Sequence, residues 1–212
     1  FTKYLVVVSG DINLRDYKTL FHHVLENTDF RNDLLLTSGP LDVLDHSSDI
    51  YSLGGKLGID GSKKLKAELN TGNSEINPEV NNMNDYAIVK KTQAGFMEDE
   101  MDGIARIILG VDNSVDAENL FMVAWQILGN SDPQRDLKFI SDNTLFIDGT
   151  IKAFRKGGFP RKWPNVVCSS EETIKTIDNK WGSLDLGPFI PSPSIISSKL
   201  SWEGTDEILL KP

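Results

Sequence analysis

Four glycines and three lysines crowd the stretch Leu53-Gly54-Gly55-Lys56-Leu57-Gly58-Ile59-Asp60-Gly61-Ser62-Lys63-Lys64. Backbone amides of glycine beside a lysine can cradle a phosphate, so this is the first place to look for chemistry. The spacing argues against the two best-defined cradles. A P-loop requires G-x-x-x-x-G-K-[ST], and here Leu57 follows Lys56 where the metal-binding hydroxyl should stand. A dinucleotide loop follows its first strand directly, yet the residues after Val8 are Ser9-Gly10-Asp11-Ile12. What remains is a tight surface loop with glycines at positive φ, or an anion site built on Lys56 and the glycines.

The other reactive side chains are scattered. His22, His23 and His46 are the only histidines, and none forms an i, i+4 pair on a helix, so no two-histidine metal site is expected. Cys168 is the single cysteine and has no histidine near it in sequence, which points to a passive thiol. Asp42, Asp45 and Asp148 stand after apolar runs. They suit acid–base work or, more simply, the capping of turns. Lys152, Arg155, Lys156, Arg161 and Lys162 interleave with Phe154, Phe159 and Trp163. Charge plus stacking is what single-stranded nucleic acid would need, and a solvated loop with aromatic anchors needs the same residues.

Composition narrows the classes. The chain has 212 residues, 39% of them hydrophobic, a net charge of −9 and a pI near 4.8. That balance speaks against a broad surface for nucleic acid or anionic lipid. A lone cysteine excludes an internal disulfide framework and a cysteine-based zinc site. The apolar run at residues 4–8 is far short of the roughly 20 residues a membrane helix needs. Residues 1–8 lack the charged region and cleavage site of a signal peptide, and a start at Phe1 rather than Met is expected of a piece of something longer.

The elements that must position these residues are organised as a repeat. Shifting the sequence by 103 positions aligns residues 5–48 with 108–151 without a gap. Val8/Val111, Leu25/Leu128, Asn27/Asn130, Asp29/Asp132, Asp33/Asp136, Leu34/Leu137, Ser38/Ser141 and Asp45/Asp148 are identical pairs. Leu14, Tyr17, Leu20, Phe21, Val24 and Leu25 make one apolar helical stripe, and every shifted position is apolar too. Asn13 and Asp116 are the expected N-caps, Asn27 and Asn130 the expected C-caps. Apolar runs at 4–8, 104–111, 34–37 and 137–140 read as strands, with another at 86–90 and a third helix at 170–178 opened by Ser169.

The pattern predicts an α/β fold: one mixed, mostly parallel sheet with flanking helices, built from two pseudo-repeated βαβ halves. The domain is expected over 1–186, with halves 1–65 and 84–186 and a surface loop at 66–83. Pro188, Pro191 and Pro193 predict an extended tail over 187–212, with Trp202, Ile208, Leu209 and Leu210 favouring a docked one.

Four blocks carry a family resemblance. Phe1-Thr2-Lys3-Tyr4-Leu5-Val6-Val7-Val8, Asp11-Ile12-Asn13-Leu14-Arg15-Asp16, Ser38-Gly39-Pro40-Leu41-Asp42-Val43-Leu44-Asp45 and Leu53-Gly54-Gly55-Lys56-Leu57-Gly58-Ile59-Asp60 resemble the C-terminal domain of the UbiD family. These are 3-polyprenyl-4-hydroxybenzoate decarboxylase-like enzymes of ubiquinone and menaquinone biosynthesis. Asp132-Pro133-Gln134-Arg135-Asp136 and Ile177-Asp178-Asn179-Lys180-Trp181 are similar to blocks of the same domain, and the doubling resembles the longer, menaquinone-type branch. The resemblance implies a cytoplasmic, non-oxidative carboxy-lyase that uses prenylated FMN and a divalent metal on a small aromatic or unsaturated carboxylic acid. It places the flavin, the metal and the catalytic Arg–Glu–Glu set in regions N-terminal to this domain, so no catalytic, cofactor or metal residue is expected here. It assigns this region to homo-oligomer assembly and to one wall of the substrate cleft, with Phe1, Gly39, Pro40 and Leu41 near the substrate. The bare residues leave open that Pro40 only shapes a turn and Leu41 fills core, and that the module is purely structural and self-associating.

Overall fold

In the computed structural model, residues 1–65, 83–92, 95–96, 100–205 and 208–209 are described, and the chain divides into two units after Ile151. The division falls ahead of the 186/187 boundary that the prolines suggest. The loop expected at 66–83 lies, but for Met83, outside the described residues, as does Leu210.

The first unit is mixed α/β, but its strands form two sheets rather than one shared sheet. β1 (Tyr4–Val8), α1 (Tyr17–Asn27), β2 (Leu34–Pro40) and β3 (Leu53–Gly61) make the first module, with strand order β1-β3-β2. β4 (Asn84–Lys90), β5 (Ala105–Val111), α2 (Leu120–Asn130), α3 (Pro133–Asp136), β6 (Leu137–Phe139) and β7 (Leu145–Asp148) make the second, with order β4-β5-β7-β6. In each module the last strand inserts between two others, β3 between β1 and β2 and β7 between β5 and β6, parallel to the first and antiparallel to the second. β1 and β2 therefore run in opposite directions, as do β5 and β6, and the expected βαβ crossovers are replaced by β-α-β-β units.

The glycine-rich stretch is thus no loop. It is β3, the central strand of the first sheet, and Gly54, Gly55 and Gly61 meet close neighbours instead of adopting positive φ. A Cβ at Gly55 would lie 2.4 Å from Asp132 Oδ1, and one at Gly61 would lie 3.0 Å from the Val24 backbone of α1. Glycine permits close approach of elements as well as unusual dihedrals. That ambiguity misleads the sequence reading, and the phosphate-loop geometry goes with it.

Register ties the modules together. Tyr4 pairs with Leu57 and Leu34 with Ile59, and in the second module Ile107 pairs with Leu145 and Leu137 with Ile147. The 103-residue offset holds through β2, but the equivalent of Asp148 is then Asp60, not Asp45, because the link from β2 to β3 is longer. Asp60 accepts from Ser62 N and Oγ, and Asp148 accepts from Thr150 N and Oγ1, the same turn twice.

The helices begin one turn later than expected. Asp16 caps α1 through Thr19 N, and Asn119 caps α2 through Met122 N. Asn13 and Asp116 cap only the preceding turns, through Arg15 N and Glu118 N. Asn27 and Asn130 are not left-handed caps. Thr28 and Ser131 follow them in extended conformation, each returning its hydroxyl to the helix at Val24 O and Ile127 O.

The second unit runs from Lys152. Trp163 is buried with Phe159 edge-on at 4.8 Å, and Phe154 lies 5.0 Å from Trp202. Asn165 grips the Trp202 backbone through both its amide atoms, and Leu209 N donates to Trp163 O. The aromatic faces offered to nucleic acid by the sequence are therefore spent on packing. α4 (Glu171–Lys180) is capped by Ser170 rather than Ser169. The tail is not wholly extended: α5 (Ser194–Ser197) starts directly after Pro193, where a proline's missing amide costs nothing.

Candidate functional site

Gly39 and Pro40 lie at one end of the first sheet, the end at which the chain enters β1. Gly39 and Pro40 finish β2 opposite Gly54 and Leu53 of β3. Lys56 joins them to the amino-terminal residues, its Nζ donating to Thr2 O at 2.8 Å while its Cε packs over Gly39. Phe1 is 82% exposed and Pro40 is also at the surface, whereas Leu41 is 1% exposed, with its Cδ1 against Gly54. Because β2 runs against β1 and β3, this end is the amino end of the two parallel strands. The carboxyl-end rule for ligands in parallel sheets therefore does not support a ligand here.

Beside this turn, a cleft of about 290 Å³ lies between the modules, lined by Ser38, Asp49, Ile50, Leu53, Gly54, Asp132, Gln134 and Arg135. Asp132 caps α3, and its Oδ1 also accepts the Gly55 amide at 3.0 Å. That amide lies on β3 ahead of the stretch paired with β1, so a side chain from the other module satisfies it. Arg135 forks onto Asp136, with Nε at 2.9 Å from Oδ1, and reaches Ser47 O at 2.7 Å and Asp49 at 2.6 Å. Burial alone would lower its pKa, but these carboxylates hold it above the usual arginine value. A guanidinium so engaged is a strut that sets the width of the cleft.

Buried polar contacts brace the same region. Lys3 Nζ sits 2.9 Å from both Asp45 and Ser47 Oγ. Burial would raise Asp45, but hydrogen bonds from Ser47 and Lys3 keep it below the usual carboxylate range. Tyr4 reaches across to the Ser131 hydroxyl, and its own burial pushes the phenol well above its ordinary value. Arg106, which looks like an intruder in an apolar strand, is buried; it donates to Leu25 O, Thr28 O and Asn143 O and stacks 4.5 Å over Phe30.

The remaining sequence candidates do not converge. His22 pairs with Asp85 and Glu26, His46 with Asn130, and His23 is buried within α1. Asp42 accepts from Leu44 N, so Asp42, Asp45 and Asp148 are turn-capping residues. Cys168 is a half-buried free thiol. Sequence reasoning missed Arg106 and Arg135. For Arg106 the signal was available: a charge inside a run of Ile, Leu and Val is tolerated only when its donors are satisfied.

The position of these blocks within the first module is what the comparisons decide. Residues 1–61 match the family model of the 3-octaprenyl-4-hydroxybenzoate carboxy-lyase C-terminal domain. The match ends with β3 and so covers β1, α1, β2 and β3, all of the first sheet. It supports a UbiD-type carboxy-lyase C-terminal domain. An uncharacterized protein of Helicobacter pylori strain J99 is 30% identical over 211 residues, covering 85% of this chain and 33% of its own length. A second, from strain 26695, is 31% identical over 206 residues with the same coverage. The chain thus spans about a third of the length of these curated relatives. Among the described residues, no helix is long and apolar enough to cross a membrane.

Proposed function

We propose that this chain is the C-terminal assembly and substrate-wall region of a non-oxidative carboxy-lyase acting on a small aromatic or unsaturated carboxylic acid, of the longer, menaquinone-type branch. The match of residues 1–61 to the carboxy-lyase C-terminal domain carries this reading. The end of β2 at Gly39 and Pro40, tied by Lys56 to the Thr2 carbonyl ahead of β1, is compatible with it. Exposed Phe1 and Pro40 offer an apolar surface to a ring, while buried Leu41 holds the turn from behind. The cleft wall contributes positioning and exclusion of water rather than proton transfer.

Prenylated FMN and its divalent metal are assigned to the remainder of the enzyme. Among the described residues, no three His, Cys, Asp or Glu stand grouped as a metal would need, and the glycine-rich stretch is a paired strand rather than a phosphate loop. Assembly is supported by α2, which has no charged residue and exposes Leu120, Phe121, Trp125 and Leu128. On a chain of net charge −9, this uncharged face is where a second copy meets the least local repulsion.

The test uses the full-length enzyme with Phe1→Ala and Pro40→Gly, both at exposed positions. A raised KM for the acid with flavin content unchanged is expected, and unaltered kinetics in both variants removes this turn from the cleft. Sedimentation of Trp125→Lys reads the assembly role: a smaller particle is expected, and the same size rejects α2 as the contact.

A further inference from the structure

The second module shows what a finished sheet of this kind looks like, and the first module lacks one part of it. β4 lies along β5 in parallel, Tyr86 opposite Ile107 and Lys90 opposite Val111, and Lys91 N donates to Val111 O at 2.8 Å. Above that sheet, Phe96 and Met101 join Ala87 and Val89 over Ile108 and Phe146, which are 0% and 5% exposed. Phe96 meets Phe146 edge-on at 5.0 Å. The equivalents in the first module are β1 for β5, Leu5 for Ile108 and Gly58 for Phe146. Among the described residues no strand pairs with the outer edge of β1. Leu5 is 57% exposed and Leu35, paired with Gly58, is 67% exposed. A Cβ on Gly58 would meet only Leu35, so there is open space above the glycine between two exposed leucines.

The edge is also chemically ready. Leu57 N donates to Lys3 O, and the parallel ladder then turns residues 3, 5 and 7 toward β3. Tyr4, Val6 and Val8 direct their backbone groups outward, and Val8 O holds the place at which Val111 O accepts from Lys91.

We infer that β1 takes an added strand, parallel to it and of the β4 kind, whose following large apolar side chain seats over Gly58 between Leu5 and Leu35. The occupant is a segment of the enzyme's own polypeptide outside residues 1–212. This rests on the functional reading above, in which the chain is one part of a longer carboxy-lyase, and on the relatives being about three times its length. A second copy related by a two-fold axis would lay β1 against β1 antiparallel, which is not the β4 arrangement. Strand addition supplies affinity through main-chain bonds and specificity through the side chain in the pocket.

Hydrogen exchange on the full-length protein and on the 212-residue chain tests this. In the longer protein the amides of Tyr4, Val6 and Val8 exchange about a hundredfold more slowly, and dilution leaves that protection intact. Equal exchange in both proteins overturns the inference, and protection lost on dilution overturns it in favour of a second copy. The double variant Leu5→Lys/Leu35→Lys is the second measurement: it lowers the melting temperature of the full-length protein and leaves that of the 212-residue chain unchanged, while equal shifts in both reject the docking face. A full-length protein that protects the three amides yet releases no CO2 from any acid offered upholds this docking and removes the carboxy-lyase reading instead.

Discussion

Asp60-Gly61-Ser62 ends β3, and Asp148-Gly149-Thr150 ends β7, with the same aspartate turn and the same close approach of a helix to the glycine. Asp29 and Asp132 each take their own module's trailing aspartate onto the backbone amide, Asp33 Oδ2 and Asp136 Oδ2 both at 2.7 Å. Away from these shared hydrogen bonds the modules diverge. α1 exposes Lys18, His22 and Glu26 where α2 exposes Phe121 and Trp125 and half-buries Gly129. The outer face of the second sheet is sealed by Phe96 and Met101, and that of the first is open. Backbone polar groups must be satisfied in any copy of the unit, so the turns and caps recur. Apolar surface is under no such constraint, and each copy leaves a different part of it exposed.

The sharpest break in the comparison is at one of the residues that join the modules. Arg106 stands where the first module has Lys3, and only Arg106 feeds the far module's helix end, at Leu25 O and Thr28 O. Arg106→Ala strands those carbonyls and empties the space over Phe30, at a cost of about 3–5 kcal/mol. Lys3→Ala removes the contacts to Asp45 and Ser47 but leaves the helix end untouched, so it costs less. Chemical denaturation of the two variants checks the order. Equal costs would deny Arg106 a linking role, and Arg106→Lys is expected to restore little because one ammonium cannot span three carbonyls.

The paired glycines grade the helix packing. A methyl at Gly149 lies 2.7 Å from Ile127 Cα, and one at Gly61 lies 3.0 Å from Val24 Cα. Backbone cannot yield as a side-chain tip can, so Gly149→Ala is expected to cost about 1–3 kcal/mol and Gly61→Ala somewhat less. Melting curves measure both, and a larger loss at Gly61 would reverse the reading that α2 sits closer than α1. Tyr4→Phe comes next. It deletes the bond to the Ser131 hydroxyl, which still returns to Ile127 O, so about 1 kcal/mol is expected from thermal unfolding.

The α/β class and five of the seven strands were legible because apolar runs of Val, Ile and Leu are unambiguous. β3 was not, since glycine signals a turn and a close approach in the same letter. β7, only four residues long, was missed as well, and the two misses hid the strand inserted into each sheet, and with it the antiparallel courses of β2 and β6 and the split into two sheets. The caps were misplaced by one turn because Asn13 and Asp16 are both good caps, and local sequence does not say which turn continues into a helix. The cleft was least legible. Its wall is made by Arg135 and Asp132 from the second module against Ser38 and Gly54 from the first, a pairing that only the packing creates.

The smallest effect concerns the one titrating contact between α1 and β4. His22 lies 3.0 Å from Asp85 and 2.9 Å from Glu26, and the hydrogen bond it donates to Asp85, reinforced by both charges, holds the imidazole above its usual value. A folded-state pKa above the unfolded one makes the contact stabilising below about pH 6.5, where both states are protonated but only the folded one has its partners. That contribution is lost as pH rises through the folded-state pKa and the imidazole becomes neutral. The side chain is half exposed, so solvent screening leaves a few tenths of a kcal/mol. His22→Asn should therefore melt below the parent at low pH, with the two curves converging on the alkaline side and salt narrowing the gap. The second module has Trp125 at this position, which cannot titrate, so a pH-dependent difference in Trp125→Phe would show that the response does not come from His22.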